Sequence, residues 1–367
     1  MKIGSLFFAL FFLVLFSSTE AQNAGQGAQI DLLFSDFDDS HRGNKAARIA
    51  FWNVENLFDT YDDPVKRDDE FTPNGNNHWN NFKYQKKLQK LSKTIIALGG
   101  WEPVEVICFA EVENRKVVED LFETTALAET NYKIIHQESP DRRGIDVALA
   151  YRPDKFKVVR TTFIKVQFSE DTRPTRDILY VRGKLNDKAE VHLFVNHWPS
   201  RYGGQMVTDP KRRAAADLVR SKVDSILSVD NEANIIITGD FNDEPEDASL
   251  IKHLETKLDT TNLQPNELYN MMGPLRFTAG THKFAGHWGV LDQFFISHAI
   301  VNGANRLENK TYTAGIFAAP FLLEEDKTHL GSKLSRTYQG PKYLGGYSDH
   351  LPIYLDLRIV NKALLDF

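Results

Sequence analysis

Residues 234–243 read NIIITGDFND, three isoleucines and a threonine running straight into acids and an amide. Successive β-branched and apolar side chains of this kind predict a strand buried on both faces. Asp240, Asn242 and Asp243 then arrive within four positions. A carboxylate beside buried apolar residues is costly unless it is paired or bound to a cation. An apolar strand that ends in acids and amides is therefore the pattern to search for elsewhere in the chain.

It recurs five more times. FWNVEN (51–56) ends an apolar run with Asn53 and Glu55, and VICFAEVEN (106–114) delivers Glu111 and Glu113. HLFVNHWPS (192–200) places Asn196 and His197 after HLFV, and GVLDQFF (289–295) sets Asp292 among apolar neighbours. YSDHLPIYL (347–355) puts Asp349 and His350 just before another strand. The economical reading is that these strand ends converge on one site.

The residue types suggest its chemistry. Hard divalent cations such as Mg²⁺ take oxygen ligands, and Glu111, Asn53 and Asp349 are suitable. His197 and His350 supply groups that exchange protons near neutral pH. With no nucleophilic Ser or Cys signature, the set points to direct attack of water on phosphorus. Each residue also has a plainer reading. Asn53 can cap a turn, Glu111 can pair with Arg115, His197 can be a core histidine, and G-D-x-N is good turn chemistry. All of these would have to hold together.

The rest of the chain supplies the frame. Strands are expected at 47–58, 104–112, 132–137, 144–152, 156–166, 178–185, 190–198, 234–240, 289–297 and 351–360. Tyr84, Leu88, Leu91, Ile95 and Leu98 recur at helical spacing before the Gly99-Gly100 stop. Further helices are expected at 211–227 and 246–255, a long loop at 59–81, and no clear pattern over 298–347. Many strands with few helices favour two packed sheets with helices outside.

The chain has 367 residues, 42% hydrophobic and 26% charged, enough to bury a sizeable core. Residues 1–21, with Lys2, an apolar run over 6–16 and Thr19 and Ala21 before Gln22, predict a secretory signal peptide. The alternative is a retained membrane anchor. A mobile leader is expected over 22–46, a catalytic domain over 47–360 and a short tail over 361–367. The protein is expected to be secreted or periplasmic, monomeric, and without a stable protein partner. Cys108 is the only cysteine, so no intramolecular disulfide can form. The formal net charge is −6, and it is unchanged by removing residues 1–21, where Lys2 and Glu20 cancel. That charge disfavours a basic nucleic-acid-binding module more than an enzyme that recruits metal cations.

WNVEN, ICFAEVEN, GIDVALAYR, VNHWPS, TGDFND, LDQFF and YSDHLP resemble, in order, the signatures of the endonuclease/exonuclease/phosphatase superfamily. The resemblance spans about residues 47 to 360 and implies a four-layered α/β sandwich, two mostly antiparallel sheets flanked by helices. It implies Glu111 as principal Mg²⁺ ligand, with Asn53 beside it and Asp349 completing the metal site; Mn²⁺ or Ca²⁺ are alternative ions. Asp240 then orients or deprotonates water, Asn242 positions the phosphate, and Asp292 holds His350. His197 matches the histidine that assists the leaving group in the deoxyribonuclease and sphingomyelinase branches. Arg176 lies where related nucleases contact phosphate.

The implied activity is phosphodiester hydrolysis. The favoured substrate is extracellular DNA or RNA, gripped by a basic group of Arg201, Lys211, Arg212 and Arg213. A sphingomyelinase-like or other small phosphodiesterase or phosphatase is the alternative, with residues 312–323 nearest to an apolar membrane-contacting hairpin. A non-catalytic binding module of the same fold is the third reading.

Overall fold

A computed structural model describes residues 46–168, 174–311 and 314–360; the expected signal peptide, nearly all of the leader and the C-terminal tail lie outside them. Strand β1 (Ala46–Leu57) shows why the sheets stack. Ile49 and Phe51 enter one apolar cluster, while Ala50, Trp52 and Val54 enter another on the opposite face. A strand with two apolar faces must be covered on both sides.

Helix α1 (Asn81–Gly99) covers one of those faces with Tyr84, Leu88, Leu91, Ile95 and Leu98. Asn80 caps it by accepting from Lys83 N, and Gly100 stops it at φ 65°. Next come β2 (Val106–Val112), helix α2 (Arg115–Glu123), β3 (Lys133–His136) and β4 (Asp146–Tyr151). The chain then builds a second sheet from β5 (Phe156–Ile164), β6 (Ile178–Leu185) and β7 (Ala189–His197). Helix α3 (Gln205–Leu227) crosses its outer face and leads into β8 (Ile235–Asp240).

Short strands β9 (Thr256–Lys257) and β10 (Leu268–Asn270) edge this sheet. A hairpin, β11 (His282–Phe284) and β12 (His287–Gly289), precedes β13 (Asp292–Ser297) and helix α4 (His298–Asn302). Strands β14 (Leu307–Glu308) and β15 (Gly315–Ile316) return to the first sheet. Two small hairpins follow, β16 (Leu323–Glu325) with β17 (Ser332–Leu334) and β18 (Tyr338–Gln339) with β19 (Lys342–Tyr343). Strand β20 (Ile353–Ile359) ends the described fold.

The first sheet runs β14-β20-β1-β2-β4-β3, with β15 on β20, and the second runs β5-β6-β7-β8-β13-β10-β9. Among the described strands, only β1·β2, β7·β8 and β9·β10 are parallel. Phe51, Cys108, Leu149, Leu193 and Phe294 fill the space between the sheets. A third cluster joins Ala215, Val219 and Val223 of α3 to Phe194 and Ile237. The architecture is thus a four-layered α/β sandwich. No helix among the described residues is long and apolar enough to cross a membrane.

Several expectations are corrected. Helix α3 begins at Gln205 rather than 211 and runs through Pro210. Buried Arg212 donates to Gln205 O at 3.2 Å, satisfying an early carbonyl beside the proline. The helix expected over 246–255 is one π-helical turn, Ser249–His253, closed where Thr256 Oγ1 donates to Leu250 O. Helix α2 was not expected at all; Asn114 caps it by accepting from Val117 N. In the stretch 312–323, Phe317, Ala318 and Leu322 are buried, so those side chains form no exposed apolar hairpin.

Candidate active site

Side chains from the ends of β1, β2, β7 and β8 meet across the gap between the sheets. The backbone is bent to aim them. The β1–β2 pairing breaks register after Asn53, and the β2–β4 pairing shifts between Ala110 and Val112, on either side of Glu111. Glu55, Asn56, Glu111 and Asn242 adopt left-handed φ values of 51°, 55°, 63° and 52°. Such conformations cost about 1–3 kcal/mol each and persist where the surroundings over-determine them. Irregularities of this kind re-aim side chains at strand ends. Gly239 answers a packing demand, because a Cβ there would lie 2.2 Å from Asn196 O on β7.

One oxygen organises the site. Asp240 Oδ2 accepts from Asn53 Nδ2 at 3.1 Å and lies 3.7 Å from His197 Nε2 and 3.8 Å from His350 Nε2. Its other oxygen accepts from Asn242 N at 2.9 Å. Glu111 Oε1 is 3.9 Å from His197 Nε2, while Oε2 accepts from Asn56 N at 3.0 Å. Asp292 Oδ2 takes the Nδ1–H of His350 at 2.7 Å. The structure therefore brings Asn53, Glu111, His197, Asp240, Asn242, Asp292 and His350 together.

Electrostatics divide the two histidines. Burial, reinforced by Arg176, Arg143 and His350, holds His197 well below the usual histidine value. Burial also opposes charge on His350, but Asp292 and Asp240 outweigh it and hold that ring well above. Burial pushes the Asp240 carboxyl up to about 7, with Asp292 adding to the rise and His350 opposing it.

The remaining expected residues lie differently. Asp349 is bound by Arg336 Nη2 at 2.8 Å, and with Glu55 and Glu111 it surrounds the buried ammonium of Lys87 electrostatically. Arg176 is buried rather than presented to a ligand, donating to Trp198 O at 2.6 Å and to Asp141 at 3.3 Å. Arg201 is tied to Asn242 O at 2.6 Å and to Asp247 at 2.6 Å. Of the expected basic grip, Arg212 is fully buried against Asp243, while exposed Arg213 pairs with Asp209. Each of these three arginines is paired with a carboxylate.

Several residues at the rim escaped sequence reasoning. His282 of the β11–β12 hairpin lies with its ring 4.7 Å from that of His350. Arg143 reaches Asn56 Oδ1 at 2.8 Å and stands 4.0 Å from Glu111. Buried Lys87 donates to Thr337 Oγ1 and Tyr347 O at 2.6 Å each. For Arg143 the signal was its place in DRRGID, before a strand; His282 and Lys87 had none.

The donor chemistry fits a divalent cation. Glu111 Oε1 accepts no hydrogen bond among the described residues, and burial keeps water from competing fully for it. Asp240, Asp292 and His350 also offer donor atoms within 4.8 Å of one another. Because Asp292 already holds His350 by a hydrogen bond, that trio suits proton handling better than ligation. Beside the site, a cavity of about 710 Å³ is lined by Arg201, Tyr202, Asn242, His282, Phe284 and Trp288.

The sequence profile of the Endonuclease/Exonuclease/phosphatase family matches residues 48–359. No curated protein matches the sequence. Among solved structures, a mannosyl-6-phosphatase from Bacteroides thetaiotaomicron superposes with a TM-score of 0.54 at 16% identity, over 86% of this chain and 100% of that one. D. rerio TDP2 complexed with a single-strand DNA product gives 0.52 at 14%, over 86% and 100%. The human Nocturnin catalytic domain with bound sulfate gives 0.51 at 15%, over 86% and 95%. At such identities these likenesses speak to fold.

Proposed function

The chain belongs to the endonuclease/exonuclease/phosphatase family, and from that premise we propose that it is a Mg²⁺-dependent phosphodiesterase cleaving DNA or RNA outside the cytoplasm. The observation that carries this reading is the convergence on Asp240 Oδ2 of Asn53, His197 and His350, all within 3.8 Å. Three polar side chains, from β1, β7 and the segment leading into β20, around one carboxylate oxygen define a place for a water molecule to be held and deprotonated.

Glu111 would hold the cation, with Asn53 and Asp349 beside it. When bound, the ion supplies positive charge opposite the phosphoryl oxygens. The chain's own groups do the rest. Asp240 accepts the proton of the attacking water, and a carboxyl titrating near the working pH suits that task. His350 keeps Nδ1 on Asp292 and presents Nε2 as a donor to charge developing on phosphate oxygen. Neutral His197 lies between Glu111 and Asp240, with Nε2 at 3.9 and 3.7 Å from their oxygens. Asn242, fixed by its side-chain bond to Trp198 O at 3.1 Å, carries its amide to the same rim.

The neighbouring cavity supports a nucleic-acid strand. Phe284 and Tyr202 are exposed and, with Trp288, offer flat faces beside Asn242. Aromatic stacking binds bases with little sequence preference, at about 1–3 kcal/mol per base. A pocket lined by rings also fits a sugar, which keeps a sugar-phosphate or other small phosphoester as the second reading.

The test is hydrolysis by the purified protein, with and without Mg²⁺, of plasmid DNA, single-stranded RNA, bis-p-nitrophenyl phosphate, sphingomyelin and sugar phosphates. Asp240→Ala serves as control. Mg²⁺-dependent cutting of nucleic acid, lost in the variant, supports the reading. Turnover confined to small esters or lipid would keep the site and replace the substrate, and no turnover of any would overturn it.

A further inference from the structure

A second group of metal-ligating side chains stands apart from the candidate active site. His136 is the last residue of β3 and Asp146 the first of β4, so the two bracket the loop 137–145. Both side chains are 2% exposed, and His136 Nε2 lies 3.4 Å from Asp146 Oδ2. Neither atom has a hydrogen-bond partner among the described residues. Asp146 spends its other oxygen on Ser139 N at 3.0 Å. Glu138, half exposed, brings a third donor atom to within 4.8 Å of the other two.

The spacing is informative. Ligands held about 2.0–2.1 Å from a tetrahedral ion stand roughly 3.3–3.4 Å apart, the separation of the two orphaned atoms. Two unsatisfied buried polar atoms facing each other are costly unless something lies between them. Lys66 is the nearby competitor, 3.8 Å from Glu138. Its ammonium is engaged elsewhere, donating to Ser139 O at 2.8 Å and Asp141 O at 3.1 Å.

We propose that His136, Glu138 and Asp146 form a second metal site, selective for a zinc-class divalent ion and separate from the Mg²⁺ site at Glu111. An imidazole with two carboxylates suits Zn²⁺ better than Mg²⁺, which prefers an all-oxygen octahedron. Three protein ligands leave the fourth position to water on the exposed Glu138 side. Such an ion staples the two ends of loop 137–145. That loop carries Arg143 to Asn56 and Glu111 and Asp141 to Arg176, so the staple would hold one wall of the active site in place.

The experiment uses the full chain, stripped with a chelator and titrated with Zn²⁺ in the presence of saturating Mg²⁺. Bound zinc is counted after gel filtration and located by anomalous diffraction at the zinc edge. The expected result is an anomalous peak bonded to His136, Glu138 and Asp146, and a zinc-dependent rise in Tm. Glu138→Gln, at an exposed position that the fold tolerates, should weaken zinc binding at least about tenfold and leave the metal-free Tm unchanged. His136→Gln should abolish both the peak and the Tm rise. Absence of the peak with zinc in millimolar excess, or equal zinc affinity in wild type and Glu138→Gln, would leave His136 and Asp146 as a plain buried ion pair and overturn the proposal.

Discussion

Asp240 and Asp292 are direct cross-strand partners, paired in the antiparallel ladder of β8 and β13. Like charges opposite one another destabilise a sheet, and both of these carboxylates are buried. His350 resolves the conflict by holding Asp292 at 2.7 Å and standing 3.8 Å from Asp240. The arrangement that keeps the strand pair together also keeps the histidine charged. Structure and chemistry share one proton.

Asp292→Asn tests that coupling. The amide cannot support a charged imidazole, so kcat should fall about 10²–10⁴-fold, the range for a displaced acid–base group. Removing one of two facing buried carboxylates should leave Tm within a few degrees of wild type. A fall in activity that tracks a fall in Tm would assign Asp292 to structure instead. Steady-state kinetics on any substrate that is turned over, beside a melting curve, decide the matter.

The strand ends could be read from sequence because apolar runs and their polar stops are local. Asn53, Glu111, His197 and Asp240 each close such a run, and the structure brings all four to one rim. The acid partners of Arg201 and Arg212 were not legible because Asp243 and Asp247 lie some thirty to forty-odd residues further along the chain, whereas the Asp209–Arg213 pair is an ordinary i,i+4 spacing on one helix. Lys87 reads as one more surface lysine on an amphipathic helix, yet three carboxylates draw it inward. His282 sits in a three-residue strand, too short to carry a period.

Arg176→Ala distinguishes a phosphate contact from a buried brace. The guanidinium is fixed by Trp198 O and Asp141, and it contributes to holding His197 neutral. Loss of the side chain leaves Asp141 unpaired, and stability should drop by about 2–3 kcal/mol. The kinetic loss should fall mainly on kcat through misplaced His197, with KM changed little. A large rise in KM with unchanged stability would restore direct contact with substrate.

Lys87→Met tests the charge network under the rim. Glu55 accepts from Thr337 N at 2.6 Å and Tyr338 N at 3.2 Å, and burial followed by Asp349 pushes its carboxyl up to about 7. Burial lowers the Lys87 ammonium to about 8, against the pull of Glu55, Asp349 and Glu111. Loss of the ammonium leaves Thr337 Oγ1 and Tyr347 O without their donor and should cost about 1–3 kcal/mol. The double variant Lys87→Met with Glu55→Gln should recover part of that loss, since the carboxyl that lost the nearby ammonium is then neutral and keeps Arg336 at 3.4 Å as its neighbour. Strict additivity in the double-mutant cycle would show that the two residues do not interact.

Asp326, bound to Lys283 next to the rim residue His282, gives a pH signature of its own. Lys283 Nζ donates to its Oδ2 at 2.8 Å, and its Oδ1 accepts from Thr328 N and His329 N at 3.0 and 3.1 Å. Desolvation opposes ionisation, but these bonds outweigh it and hold the carboxyl well below the ordinary aspartate value. With the folded pKa depressed, the unfolded chain binds the extra proton first, so this stabilisation is present above the unfolded value near 3.8 and fades as pH falls toward the folded one. Asp326→Asn should therefore cost about 2–3 kcal/mol at neutral pH, after discounting for solvent at the β11–β17 surface. Urea unfolding at a series of pH values should show the wild-type advantage shrinking below pH 4, because protonation removes the same charge that the mutation removes. A gap between wild type and variant that stays constant into acid would mean that Asp326 stabilises the loop as a neutral hydrogen-bond acceptor, and that Lys283 has no part in it.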